Sequence, residues 1–296
     1  MGLTSNPVKS TLPCTNKAEM RKRFKSCGDP SPDSYCVKSF EDCKNLSLRY
    51  PVIVKPLDRS GSRGITKVES LQGLKIAIEK AKEQGFVNKA VVEEFIDGEE
   101  YSVEYISFNG NHKFLALTKK FTTGAPNFIE KAHMQPADVD SSMLENVKKI
   151  IEHALNSLEI KFGASHSEIK IDKDGKIGII EIGARMGGDF IGSNLVKLST
   201  GYDFIEGVIN VALGIKPKII ISNEGYASSV FIFSKKHLEI FKHIKKDNPS
   251  LIVYENIDKI KDVKVVDSAS RFGSYILFSK NRDDILNCIN LICNEK

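Results

Sequence analysis

An α+β fold is the class this sequence predicts, and three observations carry it. Two pairs of strand-like runs are joined by the tight-turn dipeptides Asn109-Gly110 and Asp174-Gly175, which makes the joined strands antiparallel neighbours. Helical periodicities stand in blocks between such hairpins instead of alternating strictly with strands, which disfavours a doubly wound parallel sheet. At 296 residues the chain has room for roughly two compact units with a sizeable core.

The elements follow in order. Residues 1–14, with Pro7 and Pro13, read as an unstructured lead-in. Asn16 stands where a helix cap belongs, ahead of KAEMRKRFK, a short helix whose basic residues are expected to be mostly solvated and which ends in the stretch Gly28 to Pro32. Strand patterns begin near Tyr50 with PVIVKP, a Gly-rich turn DRSGSRG, and ITKVES. Ser70 is placed to cap a helix bearing Leu71, Leu74, Ile78 and Ala81 on one side, and Gly85 stops it. KAVVEEFI is the next strand and completes a small lobe over about residues 15–97. YSVEYISF and HKFLALTKK then meet at Asn109-Gly110, and NFIEKAHMQPA, between Pro126 and Pro136, reads as an irregular loop. Ser142-x-x-Glu145 has the form of a capping box opening a long helix with Leu144, Val147, Ile151, Ala154, Leu155 and Leu158 on one side. Strands flank Asp174-Gly175, and helical patterns over about 191–213 close a large lobe spanning 98–215. The remaining 216–296 reads as a C-terminal β/α segment ending in a helix over about 282–294.

Composition excludes several classes. Hydrophobic residues at 41% and charged residues at 27% are globular proportions, which removes disorder, collagen and coiled coil as descriptions of the whole. The longest apolar runs, such as Ile177 to Ile180, are far too short to cross a membrane, and no export or lipid-anchor signal is visible. The net charge of +5 arises mostly in the first 50 residues without a dense basic stripe, so nucleic acid is not the expected partner. Six cysteines form no CxxC pair, so neither a zinc ribbon nor a redox dithiol is indicated and reduced thiols of a cytoplasmic protein are expected.

Chemistry concentrates in GASHSEIKIDKDGKIGIIEIGAR. A two-residue turn at Asp174-Gly175 makes opposed positions sum to 349, so that Ile171 faces Gly178 and Glu168 faces Glu181. Like charges directly opposed on one face are destabilising. The remedies are a solvated edge, a raised pKa on one carboxylate, a bridging Lys or Arg, or a cation held by both. Hard oxygen donors without clustered Cys or His suit magnesium, which keeps waters and binds one or two carboxylates together with substrate phosphates. A nucleotide is then the natural partner. A solvated surface pair is the other reading of the spacing, but the apolar strand (Ile177, Ile179, Ile180, Ile182) and its Gly-rich ending GARMGGD favour a site.

Three further groups are candidates. Lys55 terminates a buried-type strand beside a Gly/Ser loop, so its ammonium can reach phosphates covered by Ser60, Gly61, Ser62 and Gly64, although most such loops are plain hairpin turns. EEFIDGEEYSVE is either a polar hairpin rim or an adenine clamp followed by a carboxylate for ribose hydroxyls. Glu130 and His133 are either surface residues or a pair that orients an amine and moves protons.

In this order, TNKAEMRKRF, YPVIVKP, the Gly/Ser loop, VVEEFIDGEEYSVE and a carboxylate pair ending in EIGAR, over roughly residues 15–215, resemble the ATP-grasp superfamily of carboxylate-amine ligases. KFTTGAPNFIEKAHMQPA, the HSE around Glu168 and EIGARMGGD look most like the branch of L-amino acid ligases and dipeptide synthases. The resemblance implies an ATP-grasp fold: two lobes with mainly antiparallel sheets clamping a nucleotide. It also implies an ATP-dependent ligase that forms an amide or peptide bond through an acyl phosphate on amino-acid-like carboxylate and amine substrates. By the same resemblance Lys17 and Lys55 hold ATP phosphates, and Ser60, Gly61, Ser62 and Gly64 form a mobile lid loop. Glu93, Glu94, Phe95 and Ile96 meet adenine, with Glu100 on the ribose. Glu168 and Glu181 ligate Mg2+, with Mn2+ as a substitute, and Arg185 stabilises the transferring phosphoryl group. Glu130, His133, Gly187, Gly188 and Asp189 line the acceptor side, Asp189 facing an ammonium. Two departures stand out. Gly183 occupies a place where many members have Asn, and the family's usual N-terminal Rossmann-like domain has no counterpart before residue 16. The second departure implies a partner chain supplying that domain; a homodimer is the other expected assembly. It also leaves an ATP-binding module or half of a split enzyme as an alternative function, beside a carboxyphosphate reaction of the biotin-carboxylase kind.

Overall fold

The computed structural model describes residues 2–59, 61, 63–125, 128–258 and 267–293. The chain opens with a short helix α1 (Val8–Thr11) and α2 (Lys17–Cys27), followed by β1 (Ser34–Val37), β2 (Val52–Pro56), β3 (Thr66–Val68), α3 (Leu71–Gln84) and β4 (Ala90–Glu94). Then come β5 (Glu99–Phe108), β6 (Asn111–Thr122), β7 (Glu130–Gln135), α4 (Ser141–Ser157), β8 (Gly163–Ile171) and β9 (Ile177–Gly183). A π-helical turn (Ile191–Leu195) leads into α5 (Val196–Thr200) and α6 (Phe204–Ala212). The chain finishes with β10 (Tyr226–Ile232), α7 (Lys235–Asp247), β11 (Ile252–Ile257), β12 (Gly273–Ser279) and α8 (Arg282–Cys293).

Two antiparallel sheets organise these elements. The smaller has strand order β1-β4-β2-β3, and the larger β11-β12-β10-β7-β6-β5-β8-β9. α3 lays Leu74, Ala77, Ile78 and Ala81 on Val52, Val54, Val68 and Val92 of the small sheet. One face of the large sheet carries Tyr101, Val103, Tyr105, Ile169 and Ile171, and α2 and α4 cover it with Met20, Phe24, Val147, Ile151 and Leu155. Because side chains alternate along a strand, the intervening residues of β5 and β8 turn to the opposite face. That face is polar: Glu100, Ser102 and Glu104 on β5 lie opposite Lys170, Glu168 and His166 on β8. The far end of this polar face is closed by α5 and α6 through Val196, Tyr202 and Phe204. α7 and α8 pack on the half of the sheet built by β7, β10 and β12. The strands of 216–296 thus extend the large sheet.

Several local expectations change. Residues 1–14 are not a loose lead-in: Asn6 Oδ1 accepts from the backbone N–H groups of Lys161 (2.8 Å) and Phe162 (2.9 Å), and Ser10 and Cys14 are buried. Asn16 does cap α2, accepting from Ala18 and Glu19, but Lys17 and Arg21 on that helix are buried, not solvated. The cap of α4 is Asp140, which accepts from Met143 N–H at 2.8 Å, instead of a Ser142/Glu145 box. Asn109-Gly110 is the two-residue turn its dipeptide indicates, with both φ angles positive (53° and 76°) and Phe108 paired with Asn111. Asp174-Gly175 is not. Gly175 N–H donates to Asp172 O and Asp172 N–H to Lys176 O, which makes a three-residue loop with Gly175 in the left-handed region. Ile171 accordingly faces Ile177, and Lys170 faces Gly178.

Candidate functional site

Glu168 and Glu181 nevertheless oppose each other, because a bulge between Glu168 and Ile169 pairings adds a residue to β9 and restores the register. The parity of the strand records it: Ile177 and Ile179 point into the core, then Ile182 does, and Glu181 turns to the polar face. The like-charge conflict is relieved by lysines. Lys120 Nζ lies 3.0 Å from Glu168 and 3.7 Å from Glu130, and Lys17 Nζ lies 3.2 Å from Glu181. Burial opposes both charges, yet Lys120 and His166 hold the Glu168 carboxyl well below its usual range, and Glu168, Glu130 and Glu100 hold Lys120 protonated. Two carboxylates on one wall of an open cleft are a donor set that fits magnesium completed by phosphate oxygens and water. Among the described residues no cluster of three or more His, Cys, Asp or Glu is arranged to hold a metal ion.

Behind Glu168 stands a buried chain of groups. Glu104, fully buried, contacts His166 Nδ1 across the β5–β8 pairing, while its second oxygen accepts from Gly187 N–H at 3.0 Å. His166 Nε2 lies 3.5 Å from Glu168. Burial works against charge on His166, but Glu104 and Glu168 raise its pKa to about 9. Gly187 has to be glycine, since a Cβ there would stand 2.8 Å from both Glu104 Oε1 and His166 Nδ1.

The cleft has a volume of about 550 Å³ and brings together Lys17, Gly61, Lys120, Glu130, His133, Glu168, Glu181, Arg185, Gly188 and Asp189. Arg185 is exposed, its guanidinium donating to Met186 O at 2.7 Å. Lys17 Nζ also donates to Arg59 O at 2.7 Å, which ties the start of the Gly/Ser loop to α2. Ser60 and Ser62 of the expected lid lie outside the described residues; Gly61 and Gly64 have positive φ.

A smaller cavity of about 70 Å³ adjoins, lined by Ile53, Lys55, Glu94, Phe95, Ile96, Glu100 and Ile180 among others. Ile96 rests directly on Gly178, where an added Cβ would come within 2.6 Å of Cδ1. Glu93, expected at adenine, shares this wall and is also held in ion pairs. Its carboxylate meets Arg21 Nε at 2.8 Å and Lys55 Nζ at 2.5 Å, all three side chains being buried. Burial would raise the Glu93 pKa, and Arg21 and Lys55 instead bring it down to about 2. Burial depresses Lys55, with Glu93 opposing. Glu100, with its pKa raised by burial, lines this cavity without a direct ion pair among the described residues, as does Glu94.

The acceptor side is built differently from the sequence expectation. Glu130 and His133 belong to strand β7, not to a loop. Asp189, expected to face an ammonium, is already engaged: Arg271 Nη1 donates to it at 2.8 Å and His133 Nε2 stands 3.4 Å away. Burial would raise Asp189, and His133 and Arg271 hold it below the ordinary carboxylate range. The same guanidinium reaches Glu130 Oε2 at 2.9 Å and lies over the Phe231 ring at 3.7 Å. Burial lowers the His133 pKa against the pull of Asp189. Arg21, Glu104, Lys120, His166 and Arg271 escaped the sequence reading. His166 had a signal, two positions before Glu168 on the same strand face; Arg271 had none.

Comparison with known proteins agrees with this geometry. Residues 48–193 match the model of the ATP-grasp domain. Alanine–anticapsin ligase of Bacillus subtilis is 25% identical over 235 residues, covering 71% of this chain and 49% of that protein. D-alanine–D-alanine ligase of Thermosipho africanus is 32% identical over 162 residues, covering 47% and 40%. The chain thus spans about half the length, or less, of these curated relatives. Among solved structures, L-amino acid ligase from Bacillus licheniformis superposes with a TM-score of 0.85 at 24% identity over 99% of this chain and 74% of that one. Biotin carboxylase from Campylobacter jejuni gives 0.74 at 18% identity, covering 98% and 68%. The segment over residues 48–193, which includes the opposed glutamates, thus matches the ATP-grasp domain family.

Proposed function

We propose that the chain is an ATP-dependent carboxylate-amine ligase that forms an amide bond through an acyl phosphate, on amino-acid-like substrates. The observation that carries this reading is one cleft holding both a paired-carboxylate wall, Glu168 and Glu181, and a polar pocket with a buried histidine, His133. A carboxylate oxygen of the first substrate attacks the γ-phosphorus of ATP, giving acyl phosphate and ADP. The amine then attacks the acyl carbon, loses a proton and expels phosphate. Such transfer is mostly positioning and charge neutralisation. Lys17 and Arg185 supply positive charge at the phosphates, and Glu168 and Glu181 would hold magnesium, which contributes neutralisation of phosphate charge when bound. The apolar cavity between Ile53, Ile96 and Ile180 suits a flat base, with Glu100 placed for ribose hydroxyls. Lys55, fastened to Glu93, lines the same wall. On the acceptor side His133 accepts the amine's proton, while Glu130, Asp189 and Arg271 orient the substrate, with Gly187 and Gly188 letting the loop approach closely. Mg2+, a cytoplasmic setting and lobes at 15–97, 98–215 and 216–296 are parts of the same proposal. The test is ATP-dependent phosphate release, screened over amino acids and small carboxylates in pairs. Release that needs both a carboxylate and an amine is expected; dependence on bicarbonate instead would move the reading to a carboxyphosphate reaction.

A further inference from the structure

We infer that Arg21 is a positioning residue for the metal-site carboxylate Glu181, acting through the β9 bulge. The inference rests on the assignment of Glu168 and Glu181 to the cation. Without the extra residue, the pairing of Ile169 with Ile179 would continue as Glu168 opposite Ile180 and Ser167 opposite Glu181. A one-residue slip moves a side chain to the other face of a sheet. Glu181 would then point into the apolar layer beneath α2 and α4, where Ile169 and Ile182 lie. The bulge therefore decides whether the cleft has one carboxylate or two.

A bulge residue leaves the ladder, and its backbone groups need other partners. Ile180 is that residue, and its carbonyl accepts from Arg21 Nη2 at 2.6 Å. β9 is the last strand of the sheet, so no neighbouring strand can take over this role; just before the bulge, Ile179 N–H donates to Pro30 O at 2.7 Å. The same Nη2 also donates to Glu93 Oε2 at 3.2 Å, and Nε lies 2.8 Å from Oε1, so Nη2 is shared between the carbonyl and the carboxylate. Arg21 thereby joins β4 of the small sheet to the irregular point of β9 in the large one. It also lies one helical turn from Lys17, the residue paired with Glu181 itself. A planar fork satisfies a carboxylate and a carbonyl together, which a lysine's single ammonium on a flexible stem does not reproduce.

The test uses the full chain and Mn2+ binding in the presence of a non-hydrolysable ATP analogue, followed by the paramagnetic signal of free Mn2+. Arg21→Lys is expected to weaken Mn2+ about tenfold, the loss typical of groups that orient a metal ligand. Arg21→Gln, run in parallel, keeps a donor without the charge and should weaken it similarly. Glu181→Gln should weaken Mn2+ at least as much, and adding Arg21→Lys to it should cause no further loss, since Arg21 acts through Glu181. In the metal-free protein, amide exchange over 179–182 should accelerate in Arg21→Lys while α3 stays unchanged. Full Mn2+ affinity in Arg21→Lys, or losses that multiply in the double variant, would overturn the inference. Unchanged Mn2+ affinity in Glu181→Gln would remove the metal assignment beneath it, a result separable from the first two.

Discussion

Glu93 holds two buried cations, Arg21 and Lys55, on one carboxylate, and its removal exposes what each is worth. Glu93→Gln preserves the shape but leaves both cations buried and unneutralised. A loss of about 3–5 kcal/mol in a denaturant titration is expected, as for breaking other buried pairs. The sign of its pH dependence follows from a folded-state pKa of about 2 against an ordinary 4.5. A depressed carboxyl stabilises the fold above its unfolded pKa and loses that contribution as pH falls through the folded one. The gap between wild type and Glu93→Gln should therefore be full above about pH 4.5 and shrink towards pH 2. The sequence puts this glutamate at the base-lining strand but says nothing of its ion pairs, because its cationic partners lie 72 and 38 positions away, where no local pattern links them.

At the scale of elements, β9 is the informative strand. Glu181 falls opposite Glu168 as the sequence indicates only because two one-residue differences cancel, a loop one residue longer than Asp174-Gly175 suggests and a bulge at Ile180, while the pairings between them, such as Ile171 with Ile177, are shifted by one. The Ile179-Ile180 doublet is where the strict alternation breaks, and it is the written trace of the bulge. The hairpin at Asn109-Gly110, the Asn16 cap and the helices of the small lobe are legible because short-range chemistry sets them, whereas Ser70 precedes α3 without a side-chain cap bond. β7 is not legible, because prolines at 126 and 136 frame it and its six residues are poor in β-branched side chains. Gly178 gives a prediction for the same strand. Gly178→Val would drive Ile96 out of the base-sized cavity, so affinity for an ATP analogue should fall at least tenfold by calorimetry. Free Mn2+ binding should change far less, since Glu168 and Glu181 lie beyond the bulge.

Across the whole molecule, the two sheets meet through few connections: α2, with Lys17 and Arg21, and the passage from β4 to β5. A nucleotide lying against both sheets should stabilise the entire fold. At a concentration 100 times its dissociation constant, an analogue with Mg2+ should add about 2.7 kcal/mol, read as a rise in melting temperature. Omitting Mg2+ should remove part of that rise.

The order of strands in the large sheet also bears on redesign. The paired glutamates sit on β8 and β9 at one margin, whereas His133 lies on β7, three strand spacings or about 14 Å from β8. Arg271, which holds Asp189 and Glu130, and Phe231 beneath it come from the last quarter of the chain. A combinatorial library drawn from that quarter can therefore vary what is accepted while leaving every residue assigned to the phosphates in its original context. A wider library that reached β6 would have to leave one residue fixed. Lys120 touches Glu130 on one side and Glu168 on the other, and a change there would alter both halves at once.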